Sequence, residues 1–398
     1  MASFLLRITV HDQQFKVSWT IIDGDDSWAP PAYPVDAGLL RQAAANVRQQ
    51  LQVIADARKP FEKAEFAKLL KQLAQFGRTL FKQLIHPAND QPQPDVLLRL
   101  REAAKECESA RESKQIRHDF KIILDTDTLF VPWGFVFLGD VSDVPTENKL
   151  KMSLADMKGF WLSHFNISVT YKGTSQFPRQ RKTSIRKLFA LHEAMFTEAK
   201  VLLKAEDEEC LERLEKLLDG NMEPASDWND FRKRWEAVGS EHDSVLYLYG
   251  HSDGQRIELR ERKGGGIDPA FDLSAADLID FRKDQPGDSA AIFLFNGCRT
   301  AAPGSSSADV PISANFLKAS RERGYFGFIG TETEVTNVFA CRYGTEFLWR
   351  LHQEHKSVGE AFDELLQSDK LFPQNLLYAC YADRRFSFAP TPSQGKQS

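Results

Sequence analysis

The chain has 398 residues, 42% apolar and 27% charged, with a net charge of -5, which excludes a disordered or fibrous polymer and gives no electrostatic footing for a nucleic-acid partner. That length predicts two or three domains, each able to bury a core. Five cysteines (Cys107, Cys210, Cys298, Cys341, Cys380) form no C-x-x-C pair, no apolar run reaches the roughly 18 residues of a membrane span, and the first residues lack the pattern of a secretory signal, so a soluble cytoplasmic protein with no membrane partner is expected.

Residues 3–21 alternate apolar and polar side chains (Leu5, Ile8 and Val10, then Phe15, Val17 and Trp19) about a polar centre, which predicts a β-hairpin. After Pro30, Pro31 and Pro34, helical spacing begins with Leu40, Val47, Leu51 and Ile54 on one face, and Lys59-Pro60 ends it. A second helix carries Phe66, Leu69, Leu70, Leu73, Phe76, Leu80 and Leu84 at three- and four-residue steps. A turn over 86–94 leads to a third helix at 96–110. Strands return at 120–124 and 129–133, and 166–171 closes this half. Residues 1–172 are thus predicted to form a mixed α/β module without a catalytic constellation. Residues 173–187 are polar, carry five cationic side chains and read as a linker, either merely solvated or a cleavage or docking site for a partner specific for basic residues.

From residue 188 the pattern alternates. A strand at 188–191 precedes helices at 207–218 and 227–237, then come a strand at 244–249 and a short one at 257–259. The glycine-rich stretch 263–266, a helix at 274–281 and a strand at 290–295 follow, then a loop at 301–309 whose composition favours mobility. A helix from 312, a strand at 325–329, helices at 335–353 and 358–367 and a strand at 376–381 complete the series. Alternation of this kind predicts a mostly parallel sheet flanked by helices over 188–390, with 391–398 as a tail.

Two of these strands end alike. The run Ala290-Ala291-Ile292-Phe293-Leu294-Phe295 has no polar alternation, as for a strand buried on both faces, and stops at Asn296-Gly297 before Cys298. The run 244–249 stops at Gly250 before His251. Open α/β sheets bind ligands at the carboxyl ends of their strands. A thiolate attacks carbonyls, and an imidazole within reach relays its proton. The alternatives are a structural thiol and a turn histidine bonded to backbone. His352 and His355 stand near a helix end without a third ligand, so no metal and no cofactor is expected. The other four cysteines are assigned no chemistry.

Tyr249-Gly250-His251-Ser252 and Phe295-Asn296-Gly297-Cys298-Arg299-Thr300 resemble the His and Cys motifs of the CHAT-domain peptidases, relatives of caspases and separase. The separation of the two motifs, about fifty residues with the histidine first, is similar to the caspase spacing. Leu129-Phe130-Val131-Pro132-Trp133 resembles the family's VPWE element, with Gly134 in place of the acidic residue. Phe326-Gly327-Phe328-Ile329-Gly330-Thr331 resembles the strand after the catalytic helix, and Phe347-Leu348 and 357–361 its closing helices. The resemblance implies a caspase-like peptidase domain preceded by a non-catalytic, pseudo-caspase-like half. It implies Cys298 as nucleophile, His251 as acid and base, and an oxyanion hole from the backbone N–H groups of Cys298 and Ser252. It also implies an S1 pocket near Glu332, Glu334 and Asn337.

Two departures stand out: Ser252 where the family commonly has glycine, and Asn337 where many relatives carry aspartate. Asp253 either orients His251 or caps the turn. The family implies a protein substrate, a role in bacterial defence or cell death, and an activating sensor on a separate chain. Stretches 263–266 and 301–309 are the candidates for segments that order on activation. Two rival readings stay open: a catalytically silent scaffold, and a thiol acyl transferase.

Overall fold

The computed structural model describes residues 3–11, 14–57, 59–85, 94–109, 118–125, 131–171, 185–218, 230, 233–234, 243–252, 256–258, 272–274, 291–298, 300, 325–382, 384 and 386–387. The chain forms two compact units, Met1–Lys172 with Leu366–Tyr381, and Gly173–Leu365 with Ala382–Ser398.

In the first unit, β1 (Ser3–His11) and β2 (Gln14–Asp23) form the expected antiparallel hairpin, Ser3 facing Ile22 and His11 facing Gln14. The short strands β3 (Asp26–Trp28) and β4 (Tyr33–Val35) both pair with β2. Helix α1 (Ala37–Ala55) starts where Asp36 Oδ1 accepts the Leu39 N–H at 2.9 Å, a side-chain cap on an otherwise orphaned donor. Helix α2 (Lys63–Ile85) buries the stripe of Phe66, Leu70, Leu73, Leu80 and Leu84 that its spacing predicted. Helix α3 (Pro94–Ser109) leads to β5 (His118–Asp125), then the single-turn helix α4 (Trp161–His164) and β6 (Phe165–Tyr171). The sheet order is β3-β2-β1-β5-β6, with β5 parallel to both neighbours.

Its core is aromatic. Phe120 stands 4.4 Å from the Trp161 ring and edge-on to Trp19 at 5.9 Å. The Trp19 indole N–H donates to the Tyr33 hydroxyl at 2.8 Å, which in turn donates to the Leu84 carbonyl, so one buried chain of hydrogen bonds ties the sheet to α2. The expected strand over 129–133 is corrected for its described part: Val131 and Pro132 lead into a 3-10 turn at Trp133–Phe135. Pro132 has no N–H for a ladder, and the buried Trp133 instead stacks on Trp161.

The second unit holds β7 (Ile185–Leu191), β8 (Asp243–Tyr249), β9 (His251–Ser252), β10 (Arg256–Glu258), β11 (Asp272–Ser274), β12 (Ala291–Asn296) and β13 (Tyr325–Thr331). Strands β13, β12, β8 and β7 lie side by side in that order, all parallel. Strands β9, β10 and β11 form a small antiparallel sheet. Ile292 to Phe295 are all essentially inaccessible, as the unbroken apolar run required. Strand β7 begins three residues inside the stretch read as linker, because Ile185, Arg186 and Lys187 already pair with Asp243, Ser244 and Val245.

Helix α5 (Glu193–Glu206) is absent from the sequence reading. Its buried stripe of Phe196, Ala199 and Leu203 is blurred by the exposed Val201 and Leu202, and its cap is a histidine rather than a Ser, Thr, Asp or Asn. Helices α6 (Glu208–Leu218), α7 (Asn337–His352) and α8 (Val358–Leu366) fall within two residues of the predicted bounds. The strand expected at 376–381 is a 3-10 turn, Gln374–Leu377, followed by β14 (Tyr378–Ala382). Phe372, in the segment that returns to the first unit, packs edge-on against Phe66 at 5.3 Å. The predicted features at 263–266, 301–309 and 391–398, the helix from 312, and most of those at 227–237 and 274–281 lie outside the described residues. Among the described residues no helix is long and apolar enough to cross a membrane.

Gly77 decides how closely α2 approaches the chain around Phe135. A Cβ there would lie 2.2 Å from the Phe135 carbonyl oxygen, and the Gly77 carbonyl accepts the Phe137 N–H at 3.1 Å. An alanine in an open helix stabilises by about 1 kcal/mol. Here Gly77→Ala is expected to destabilise by about 1–3 kcal/mol through overpacking, measured by urea unfolding. A midpoint at or above wild type would contradict this packing.

Candidate active site

Three parallel strands end level. Leu191, the last residue of β7, pairs with Tyr249, the last of β8, and Tyr249 pairs with Asn296, the last of β12. The ladder runs one step further: His192 N–H donates to the Tyr249 carbonyl at 2.8 Å, and Gly250 N–H to the Asn296 carbonyl at 3.4 Å. His251 therefore stands two residues beyond one member of a paired couple, and Cys298 two residues beyond the other. Equal offsets past paired strand ends bring both residues to the sheet's carboxyl edge.

Glycine makes the approach of the two chain ends possible. A Cβ on Gly297 would fall 2.7 Å from the Gly250 carbonyl oxygen and 3.2 Å from the Ser252 Cβ. The residue before Cys298 is thus packed directly against the residues on either side of His251. Gly297 thereby leaves the space that the Ser252 Cβ occupies.

A buried polar network holds these ends. Asn296 Nδ2 donates to the Tyr247 hydroxyl at 2.7 Å and to the Ala340 carbonyl of α7 at 2.5 Å. Thr331 Oγ1 donates to the Gly297 carbonyl at 2.5 Å, and Thr300 Oγ1 accepts the Thr331 N–H at 2.9 Å while donating to the Phe295 carbonyl at 3.2 Å. Gly344 leaves room for the Asn296–Tyr247 pair, since a Cβ there would come within 2.7 Å of both side chains. The turn that carries Cys298 is consequently tied to β13 by Thr331 and to α7 by Asn296.

The candidate residues fall as follows. Cys298 is half-buried, and its Sγ lies 3.8 Å from the Val335 carbonyl oxygen. Cys107, Cys210, Cys341 and Cys380 are buried. Burial, aided by Glu346 and Asp207, pushes the Cys210 thiol up to about 12, and burial with neighbouring Cys210 pushes Cys341 up to about 12. His251 is exposed and Ser252 half-buried. Glu332 follows directly on β13 and is only 2% exposed, whereas Glu334 is exposed.

Asn337 is engaged on every side. Its amide donates to the Met195 carbonyl at 2.8 Å and to Glu198 Oε2 at 3.1 Å, and its Oδ1 accepts the Tyr249 hydroxyl. It braces α7 against α5 and β8. Asp253 lies outside the described residues. Among the described residues no group of three or more His, Cys, Asp or Glu is placed to hold a metal ion.

Sequence reasoning missed His192. Its ring is perpendicular to that of His251 with centroids 5.2 Å apart, and it is 4% exposed. The sequence shows only a histidine directly after the predicted strand 188–191; the pairing of β7 with β8 is what brings it next to His251.

No family model matches the chain, and no curated protein matches it. Among solved structures it is similar to the crystal structure of the Arg-specific cysteine proteinase gingipain R, at 9% identity and a TM-score of 0.42, over 76% of this chain and 71% of that one.

The thiols make a direct prediction. Iodoacetamide at neutral pH is expected to modify Cys298 well before the other four cysteines, as read by peptide mass mapping, because it is the accessible one and burial suppresses thiolate formation at Cys210 and Cys341. Equal rates at Cys298 and Cys210 would contradict the arrangement.

Proposed function

We propose that the protein is a cysteine endopeptidase that cleaves a protein substrate through a Cys298–His251 dyad and an acyl-enzyme. One observation carries the reading: both residues stand at the same offset beyond paired strand ends, with Gly250 and Gly297 packed together between them. In the reaction the Cys298 thiol gives its proton to His251 as the sulfur adds to the scissile carbonyl, and the oxyanion is met by the N–H groups of Cys298 and Ser252. The C–N bond breaks as His251 protonates the leaving amine. His251 then takes a proton from water, whose oxygen displaces the sulfur to leave a free carboxyl terminus and the regenerated thiol.

For the S1 pocket, Glu332 and Glu334 are the candidate acceptors of a basic side chain. Glu332 follows directly on β13, and Glu334 two residues later. Asn337 enters the pocket as a brace for its wall rather than as a free recognition group. The resemblance of the His and Cys motifs to those of CHAT-domain peptidases supports a cytoplasmic effector in bacterial defence or cell death, switched on by a sensor protein on a separate chain.

Exposing a bacterial proteome to the purified protein, with candidate activating proteins added, is expected to give new termini that Cys298→Ala and His251→Ala do not give. Identical fragments from wild type and Cys298→Ala, or none from either, would contradict the peptidase and favour a silent scaffold. Product mass makes the remaining division. Free carboxyl termini mark hydrolysis, and acyl adducts on another acceptor mark a transferase.

A further inference from the structure

A third residue belongs to the row at the sheet edge. Histidine 192 is the first residue beyond β7, as Gly250-His251 follow β8 and Gly297-Cys298 follow β12, so the ends of three adjacent strands present His192, His251 and Cys298 in sequence across the edge. Its place is held from two sides. The His192 N–H donates to the Tyr249 carbonyl at 2.8 Å, which ties it to the strand that carries His251. Its Nδ1 accepts the Met195 N–H at 3.4 Å and caps α5. An Nδ1 that accepts leaves the proton of the neutral ring on Nε2, so one tautomer is selected. The ring is then 4% exposed, and against it stands the exposed ring of His251, at right angles with centroids 5.2 Å apart.

We propose that His192 is a positioning residue for His251: its immobilised ring is the wall that sets the orientation of the catalytic imidazole toward Cys298. The proposal rests on the dyad reading above and deepens it. Cysteine peptidases commonly orient the histidine through a hydrogen-bonded third group, and here Asn337 instead braces α7 against α5. An edge-to-face ring contact supplies orientation without a charge beside the imidazolium that forms during catalysis. The choice of histidine at a helix cap, where Ser, Thr, Asp or Asn caps better, is explained if the ring serves a second purpose.

Two substitutions separate the roles. His192→Asn keeps a good helix cap and removes the ring; His192→Phe keeps a ring and removes the cap. The readout is the rate of Cys298 alkylation by iodoacetamide, with His251→Ala as reference and thermal melting recorded for each variant. His251→Ala is expected to slow alkylation by about a hundredfold, the scale of a lost proton relay. His192→Asn is expected to slow it by about tenfold while melting with the wild type, and His192→Phe to alkylate within about threefold of wild type while melting lower. A wild-type rate in His192→Asn, with His251→Ala slow, overturns the positioning role and leaves the dyad standing. A His192→Phe as slow as His192→Asn also overturns it, since the ring contact would then not carry the effect. If His251→Ala reacts at the wild-type rate, the dyad reading fails and this proposal fails with it.

Discussion

The level ending of three parallel strands is the constraint from which the rest of the site follows. Parallel pairing sets a common register, and the last couples, Leu191 with Tyr249 and Tyr249 with Asn296, bring unlike chain segments to the same height. Past that line the backbone is free to turn. Each chain then contributes one side chain: His192 at once, His251 and Cys298 after a glycine. Replacing Gly297 by a residue with a Cβ would wedge the two turns apart, because that atom would fall 2.7 Å from the Gly250 carbonyl oxygen. The chemistry proposed for the thiol and the imidazole depends on that contact more than on any single hydrogen bond.

A second layer keeps the edge from drifting. Asn296 and Tyr247 share a buried hydrogen bond against which α7 packs at Gly344, where a Cβ would not fit, and Thr331 anchors the carbonyl just before Cys298. Buried polar pairs of this kind are costly if one member is lost, since the other is left desolvated without a partner. They therefore fix one arrangement of the turn rather than adding much net stability. The network runs from the Cys298 turn into α7 through the Asn296–Ala340 hydrogen bond.

Much of this was legible in the residues. The apolar run before Asn296-Gly297 could only be a strand buried on both faces, and β12 is one, with Ile292 to Phe295 inaccessible. The stripe of α2 was readable for the same reason, because burial of a helix face leaves a three- and four-residue spacing. Helix α5 was not readable: Val201 and Leu202 are apolar and exposed, which breaks the stripe, and a histidine is an uncommon cap. The strand expected up to Trp133 failed because Pro132 cannot donate to a ladder. Asn337 looked like a pocket residue in sequence, yet its amide is held by Met195 and Glu198, contacts between residues far apart in the chain that no local pattern encodes. His192 was missed because a lone histidine after a strand carries meaning only once β7 is known to lie beside β8.

The proximity of His251 to Cys298 is the central claim, and it can be measured without a substrate or an activator. Methylthiolation of Cys298 with a carbon-13-labelled reagent places one reporter methyl on the sulfur. Nuclear Overhauser spectra are predicted to connect that methyl to the His251 ring protons, with the cross-peaks vanishing in His251→Ala and the rest of the spectrum retained. A labelled methyl that contacts residues of the β13–α7 connection such as Val335, but never the His251 ring, would contradict the account.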